Sequence, residues 1–319
     1  MTKIATVVGA TGNQGAAVID ALKKHGGYKI RGLTRRPESD AAETLKQQGV
    51  EVVRADVNDY ASLVSAFAGS HFIFGVTNFF ELFATSEDAD KAMETEIQQG
   101  KNLADAAEAT PTLEHYVWSN LPGALVKSGG KMKVPHYDSK DIVAHYIRTK
   151  EDLLSKTTFM LIGWYSLNFT LPFFRPTLLE SAGKYVLIGN FDPSKINYPT
   201  IGDIRKNLVP FVQAILDKPE MKKGAMVVAS IGTFNVLDML RKLARTRGKE
   251  FEFIETSSET YYKLYPLWAE EGSLMMQYMQ ALGDQAWTDA MYPMVLPDEL
   301  GVDTSSIVSL DDSLDALEI

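Results

Sequence analysis

The run Gly9-Ala10-Thr11-Gly12-Asn13-Gln14-Gly15 spaces its glycines as G-x-x-G-x-x-G. It follows a short apolar segment, Lys3-Ile4-Ala5-Thr6-Val7-Val8, and leads into a helical pattern from Ala16 to Lys24. A glycine at a strand end permits a sharp turn. A second lets a pyrophosphate approach the backbone, and a third lets helix and strand pack closely. The helix start then offers free N–H groups and a partial positive charge to phosphate. This is dinucleotide-binding chemistry, with Gly9, Thr11, Gly12, Asn13, Gln14 and Gly15 as candidate contacts. A purely structural turn is the plainer alternative. The next residues with chemistry to offer are Arg35 and Arg36. An NAD site usually carries an acid about 20 residues beyond the glycines, accepting from the ribose hydroxyls. No acid occurs between Asp20 and Glu38. A guanidinium fork suits a 2′-phosphate in charge and geometry, so the expected cofactor is NADP(H). The plainer alternative is a solvated pair of arginines. Asp56 and Val57 border the expected adenine site, and Asp59 reads as a helix cap.

The elements that must position these residues alternate through the first half of the chain. Strand patterns fall at Lys3–Val8, Tyr28–Leu33, Glu51–Val57, Phe72–Val76, His115–Trp118 and Thr158–Ile162. Helical patterns lie between them at Ser62–Ala68, Lys91–Glu108 and Asp138–Leu154, with Thr77-Asn78-Phe79-Phe80 read as a loop. Leu121 to Pro135, rich in Gly, Lys and Pro, reads as a mobile loop. Such alternation predicts an α/β fold, a doubly wound parallel sheet of Rossmann type. Beyond Gly163 the pattern loosens. Lys184–Asn190 and Ala225–Ala229 are strand-like, and Ile201-Gly202-Asp203-Ile204 precedes a helix running to about Leu216. Met- and aromatic-rich stretches follow at Tyr261-Tyr262, Trp268, Met275–Met279, Trp287 and Met291–Met294. They read as the core of a small domain or as the lining of an adaptable apolar pocket. The expected division is a dinucleotide-binding domain from 1–160 plus about 198–235. A smaller α+β domain for substrate or partner comprises about 161–197 plus 236–319.

The 319 residues suffice for a full core, with 45% hydrophobic and 23% charged residues. There is no cysteine, which excludes disulfides and thiolate metal sites and fits a cytoplasmic or nuclear compartment. Neither a signal peptide nor a membrane span is visible. The net charge is −9, and eleven acids but no Lys or Arg follow Lys263. That balance argues against direct nucleic-acid binding. The five histidines form no recognisable ligand set, so no metal is expected. G-x-S-x-G is absent, which removes one hydrolase signature.

Several segments together resemble the NmrA-like family, an atypical branch of the short-chain dehydrogenase/reductase superfamily. They are Val8–Gly15, Thr34-Arg35-Arg36-Pro37, Val76–Glu81, Val117-Trp118-Ser119 and His136-Tyr137-Asp138-Ser139-Lys140. A weaker echo continues at Ile201–Ile204. The resemblance implies a Rossmann domain, a smaller C-terminal domain and a preference for NADP. Some members, such as the isoflavone-reductase-like enzymes, are reductases. Others are redox sensors that bind NADP(H) and regulatory proteins.

The resemblance also draws attention to Lys140. Short-chain reductases use Tyr-x-x-x-Lys on a helix, where the lysine holds the nicotinamide ribose and assists the tyrosine as proton donor. Here His136 occupies the i−4 position and Tyr137 the i−3 position, so two candidate donors flank one lysine. Ser119, at the end of a strand, sits where such reductases hydrogen-bond a substrate carbonyl. Thr77 and Asn78 follow the fourth strand, and Asn78 is placed to meet the cofactor's ribose or nicotinamide. Two readings follow. In the favoured one, NADPH delivers hydride to a carbonyl or conjugated double bond of a hydrophobic or aromatic small molecule. In the other, the same fold is a non-catalytic NADP(H) sensor that regulates a protein partner. The sequence leaves the oligomeric state open.

Overall fold

The computed structural model describes residues 2–288 and 292–319; Met291 of the last aromatic stretch lies outside them. Its main sheet has eight strands among the described residues, all paired in parallel. From one edge to the other the order is Met294–Val295, Ala225–Ala229, Thr157–Ile162, His115–Asn120, Ser70–Gly75, Lys3–Val7, Tyr28–Thr34 and Glu51–Arg54. The first strand in sequence is therefore central. Its neighbours are the second and fourth, so the winding direction reverses beside it. This is the expected doubly wound α/β architecture, with its switch point at the carboxyl ends of Lys3–Val7 and Ser70–Gly75.

Period-two alternation sorts the strand side chains onto two faces. Val7, Phe72, Phe74, Val117 and Met160 pack with Val18 and Leu22 of helix Asn13–His25 and Leu208 and Val212 of helix Ile204–Asp217. Ile73, Trp118, Phe159 and Leu161 pack on the other face with Leu103 and Ala107 of helix Ala89–Glu108 and Val143 and Ile147 of helix Pro135–Arg148. Each fully buried large apolar side chain contributes about 1.5–3 kcal/mol, so both faces are firmly held.

Two smaller sheets adjoin. In one, Asn197–Gly202 pairs in parallel with Trp164–Tyr165 and antiparallel with Gly232–Asn235. In the other, Lys184–Gly189 lies between Thr177–Leu179 and Glu250–Glu255. Residues 198–235 thus supply Ala225–Ala229 to the main sheet and two strands to a separate one. The segment after 236 returns Met294–Val295 to the main edge. No helix among the described residues is long and apolar enough to cross a membrane.

Three local expectations change. The loop expected at Thr77–Phe80 holds at Thr77 and Asn78, but Phe79 and Phe80 open a helix, Phe79–Ser86, in which Phe79 and Phe83 stack one turn apart with ring centroids at 5.8 Å. The helix expected over Asp138–Leu154 begins at Pro135, whose fixed φ suits a first turn, and breaks before Glu151–Leu154. The loop expected to be mobile before it holds a short helix, Ala124–Lys127. The Asp138 carboxylate accepts from the backbone N–H groups of Leu125 and Val134, at 2.8 Å each, and ties that loop down.

Candidate functional site

At the switch point the chain turns through Gly9, whose φ of +63° favours glycine. Gly15 is required for a different reason: a Cβ there would stand 2.2 Å from the Gly9 carbonyl oxygen. Gly12 is the N-cap of helix Asn13–His25 and offers no capping side chain, so the first-turn N–H groups keep no side-chain partner. Lys23, Lys24 and His25 in the last turn complement the helix dipole.

A cavity of about 620 Å³ opens over this turn. Gly9, Thr11, Gly12, Asn13, Gln14, Gly15, Arg35, Arg36, Val57, Thr77 and Asn78 all line it. Asp56 does not; its carboxylate is turned aside, accepting from Asn58 N and Nδ2 at 2.9 Å each. Asp59 caps helix Tyr60–Phe67 through Ala61 and Ser62. Arg36 is exposed at the rim, while Arg35 donates to Glu81 of helix Phe79–Ser86 across it.

A second cavity, of about 350 Å³, adjoins the first. Asn13, Gln14, Thr77, Asn78 and Tyr165 line both, so the two spaces meet at the glycine turn and the 77–78 segment. Ser119, His136, Tyr137 and Lys140 lie in the second wall, which is otherwise largely aromatic: Phe79, Phe80, Trp164, Phe173, Phe174, Tyr198 and Trp287. Helix Pro135–Arg148 brings His136 and Lys140 to one face, one turn apart.

The lysine is fully engaged. Its ammonium donates to Thr77 O at 3.0 Å, Thr77 Oγ1 at 2.9 Å and Glu96 Oε1 at 3.0 Å. Ser139 donates to the other oxygen of the same buried carboxylate. Tyr137 and Tyr198 share a hydrogen bond between their hydroxyls. Burial, reinforced by Tyr198, pushes the Tyr137 phenol well above its usual range. Lys140 thus spends its donors on Thr77 and Glu96, and Tyr137, one of the two donor candidates, faces another phenol. His136 Nδ1 bonds Glu271 Oε1, a wholly buried carboxylate from helix Ala269–Leu282. Gln14 donates to the Tyr165 hydroxyl, which burial raises to about 12. Gln14 Oε1 is buried with no partner.

A model of the NmrA-like family matches residues 1–308. The chain belongs to the NmrA-like family. Among its relatives, an NmrA-like family domain-containing protein of Dictyostelium discoideum is 28% identical over 288 residues, 89% of each chain. The NmrA-like family domain-containing oxidoreductase hkm9 of Aspergillus hancockii is 34% identical over 172 residues. That match spans 53% of this chain and 48% of the relative, about half the length of each. Among solved structures, NmrA, a negative transcriptional regulator, in complex with NADP, superposes with a TM-score of 0.75 at 21% identity, covering 99% of this chain and 96% of that one. At that identity the likeness is one of fold.

Glu81, Glu96, Tyr165, Tyr198 and Glu271 were absent from the sequence-derived candidates of this family member. Four of them come from elements more than forty residues from the groups they touch, and Glu96 reaches Lys140 across the same span. Only Glu81 lay within a family-like segment, Val76–Glu81, where it could have been noticed.

Proposed function

We propose that this NmrA-like protein is an NADPH-dependent reductase of a carbonyl or conjugated double bond in a hydrophobic, aromatic small molecule. The observation that carries the reading is the aromatic-walled cavity of about 350 Å³ opening onto the glycine-turn cavity, with His136 and Lys140 in its wall. The residues present fit a dinucleotide. The uncapped helix start accepts a pyrophosphate, and the orphaned Gln14 Oε1 accepts from a group entering between the two cavities.

Asn13, Gln14 and Gly15 hold the pyrophosphate through their backbone N–H groups. Arg35 and Arg36 hold the 2′-phosphate, and Val57 borders the adenine. Asn78 meets the nicotinamide side. When bound, the nicotinamide supplies hydride. The chain's own residues orient and protonate. Lys140 fixes the 77–78 segment through Thr77, Ser119 takes the substrate's polar atom, and the aromatic wall holds a flat apolar body and excludes water. The proposed division assigns 1–160 with about 198–235 to the dinucleotide and the remainder to the substrate. The proposed compartment is the cytoplasm.

One observation favours a second reading, a sensor without turnover: both Lys140 and Tyr137 already have all-protein partners. NADPH consumption across a panel of aromatic ketones, quinones and enones separates the two. The reductase oxidises NADPH with at least one class, and His136→Asn lowers kcat roughly 10²–10⁴-fold. Tight NADPH binding without oxidation of any panel member leaves the sensor.

A further inference from the structure

The pairing of His136 with Glu271 joins two parts of the chain 135 residues apart. Glu271 stands in the first turn of helix Ala269–Leu282, and its side chain is 1% exposed. Its Oε1 accepts twice from one residue, from His136 Nδ1 and from the His136 backbone N–H at 3.2 Å. Its Oε2 has no partner. Oε1 already accepts from the His136 backbone N–H, and a carboxylate that accepts from the ring as well places the ring hydrogen on Nδ1. Among the described residues none hydrogen-bonds Nε2, and the ring lies in the wall of the aromatic cavity. The imidazole is held edge-on to Tyr137, with centroids at 4.6 Å, and tilted to Phe80 at 5.1 Å and Phe79 at 5.8 Å.

We propose that Glu271 is a positioning residue that holds His136 with Nδ1–H toward the carboxylate and Nε2 toward the cavity, making His136 rather than Tyr137 the proton donor to the reduced substrate. The proposal rests on the reductase reading. The step balances with NADPH as the reductant. Hydride adds to the electrophilic carbon as the carbonyl or alkene π pair moves to the neighbouring oxygen or carbon. The Nε2–H bond of the imidazolium breaks, its proton goes to that atom, and its electron pair stays on Nε2. NADPH is oxidised by two electrons, the substrate is reduced by two, and a solvent proton recharges the ring. Glu271 contributes by geometry: its two hydrogen bonds, to the ring Nδ1–H and to the backbone N–H of the same residue, fix the ring's direction. Tyr137, Asp138 and Lys140 on its own helix are also ionisable, and Tyr137 is spent on Tyr198. Asp138 is spent on Leu125 and Val134, and Lys140 on Thr77 and Glu96. Helix Phe79–Ser86 presents the rings of Phe79 and Phe80 to it.

The test uses the full chain with ¹⁵N-labelled histidine. In the cofactor-free protein, His136 shows an Nδ1-bound hydrogen that is shifted far downfield. Glu271→Gln, nearly isosteric but neutral, moves that signal and lowers kcat 10–100-fold, while KM and the calorimetric NADPH affinity stay within twofold. A merely structural role for Glu271 would move the affinity as well. The kcat loss at His136→Asn exceeds that at Tyr137→Phe by at least tenfold. A wild-type ring carrying its hydrogen only on Nε2 overturns the proposal, as does an unchanged kcat in Glu271→Gln or a larger loss at Tyr137→Phe. If the wild-type protein oxidises no NADPH, the reductase reading fails and takes the donor role with it. The tautomer signal then still decides whether Glu271 holds the ring.

Discussion

Replacing Lys140 perturbs more than the proposed chemistry. Lys140→Met removes three hydrogen bonds at 2.9–3.0 Å and leaves Glu96, whose side chain is 1% exposed, with Ser139 as its remaining partner. Methionine approximates the lysine stem in volume, so little cavity cost is added. Removing one member of a buried ion pair costs about 3–5 kcal/mol, most of it from the uncompensated charge that remains. The expected loss in equilibrium urea unfolding is therefore about 3–5 kcal/mol for Lys140→Met. The double variant Lys140→Met/Glu96→Gln keeps an acceptor for Ser139 and carries no buried charge, so its loss falls below about 2 kcal/mol. The recovery is the decisive part. A single variant that loses under about 1 kcal/mol, or a double variant no more stable than the single, would refute the reasoning that Lys140 exists partly to neutralise Glu96. Turnover measured in the single variant alone would mix the two effects; the double variant separates them.

Three further outcomes follow from the same geometry. Arg35→Ala weakens NADPH relative to NADH by about 1.5–3 kcal/mol, the value of one charge-assisted contact. Glu81→Gln, which frees Arg35 from its partner across the rim, tightens NADPH; calorimetric titration of both cofactors checks the pair, and equal losses for NADPH and NADH in Arg35→Ala would contradict it. Gly12→Val abolishes binding of either dinucleotide but leaves a folded protein, because a Cβ there would meet the Gly9 carbonyl oxygen at 3.3 Å and no other non-neighbouring atom within 4 Å; normal titration of that variant would reduce the motif to a structural turn. Burial, with a smaller contribution from Lys222, lowers His115 from its ordinary 6.5 to about 3. The unfolded chain therefore binds the proton first as pH falls. The stability is complete above about pH 6.5 and is lost toward pH 3 at up to about 1.4 kcal/mol per unit. His115→Gln flattens that part of the urea-stability profile, and an unchanged slope would show that the buried ring does not set it.

The legible part of this molecule is the part whose chemistry is local. The turn, the strand before it and the helix after it occupy the first 25 residues, and the arginines follow at the end of the next strand, so cofactor geometry could be read in order. Strand alternation carried the winding of the main sheet for the same reason. The second cavity was legible only on its helix, where the i, i+4 relation of His136 and Lys140 is a sequence property. Their partners were not. Nothing in the sequence marks Glu96 or Glu271 as the acid that a helix turns inward, because a buried carboxylate is defined by its partner and the partner is distant. Asp56 shows the converse: it follows the third strand beside the cavity-lining Val57, but its carboxylate accepts two hydrogen bonds from Asn58 and does not line the cavity. Glu250–Glu255 forms a strand that the sequence reading did not assign, and Phe79–Ser86 is a two-turn helix whose first aromatic residues read as a loop.

The central claim is that the glycine-turn cavity and the aromatic cavity form one reaction chamber. Transfer of deuterium from NADPH labelled at the nicotinamide C4 tests it most directly, with the aromatic carbonyl and enone panel as acceptors and mass spectrometry of the products as readout. The account predicts label on the reduced carbon from one face of the nicotinamide only, and its loss in Gly12→Val. Product without label, or tight NADPH binding with no labelled product from any acceptor, would contradict it.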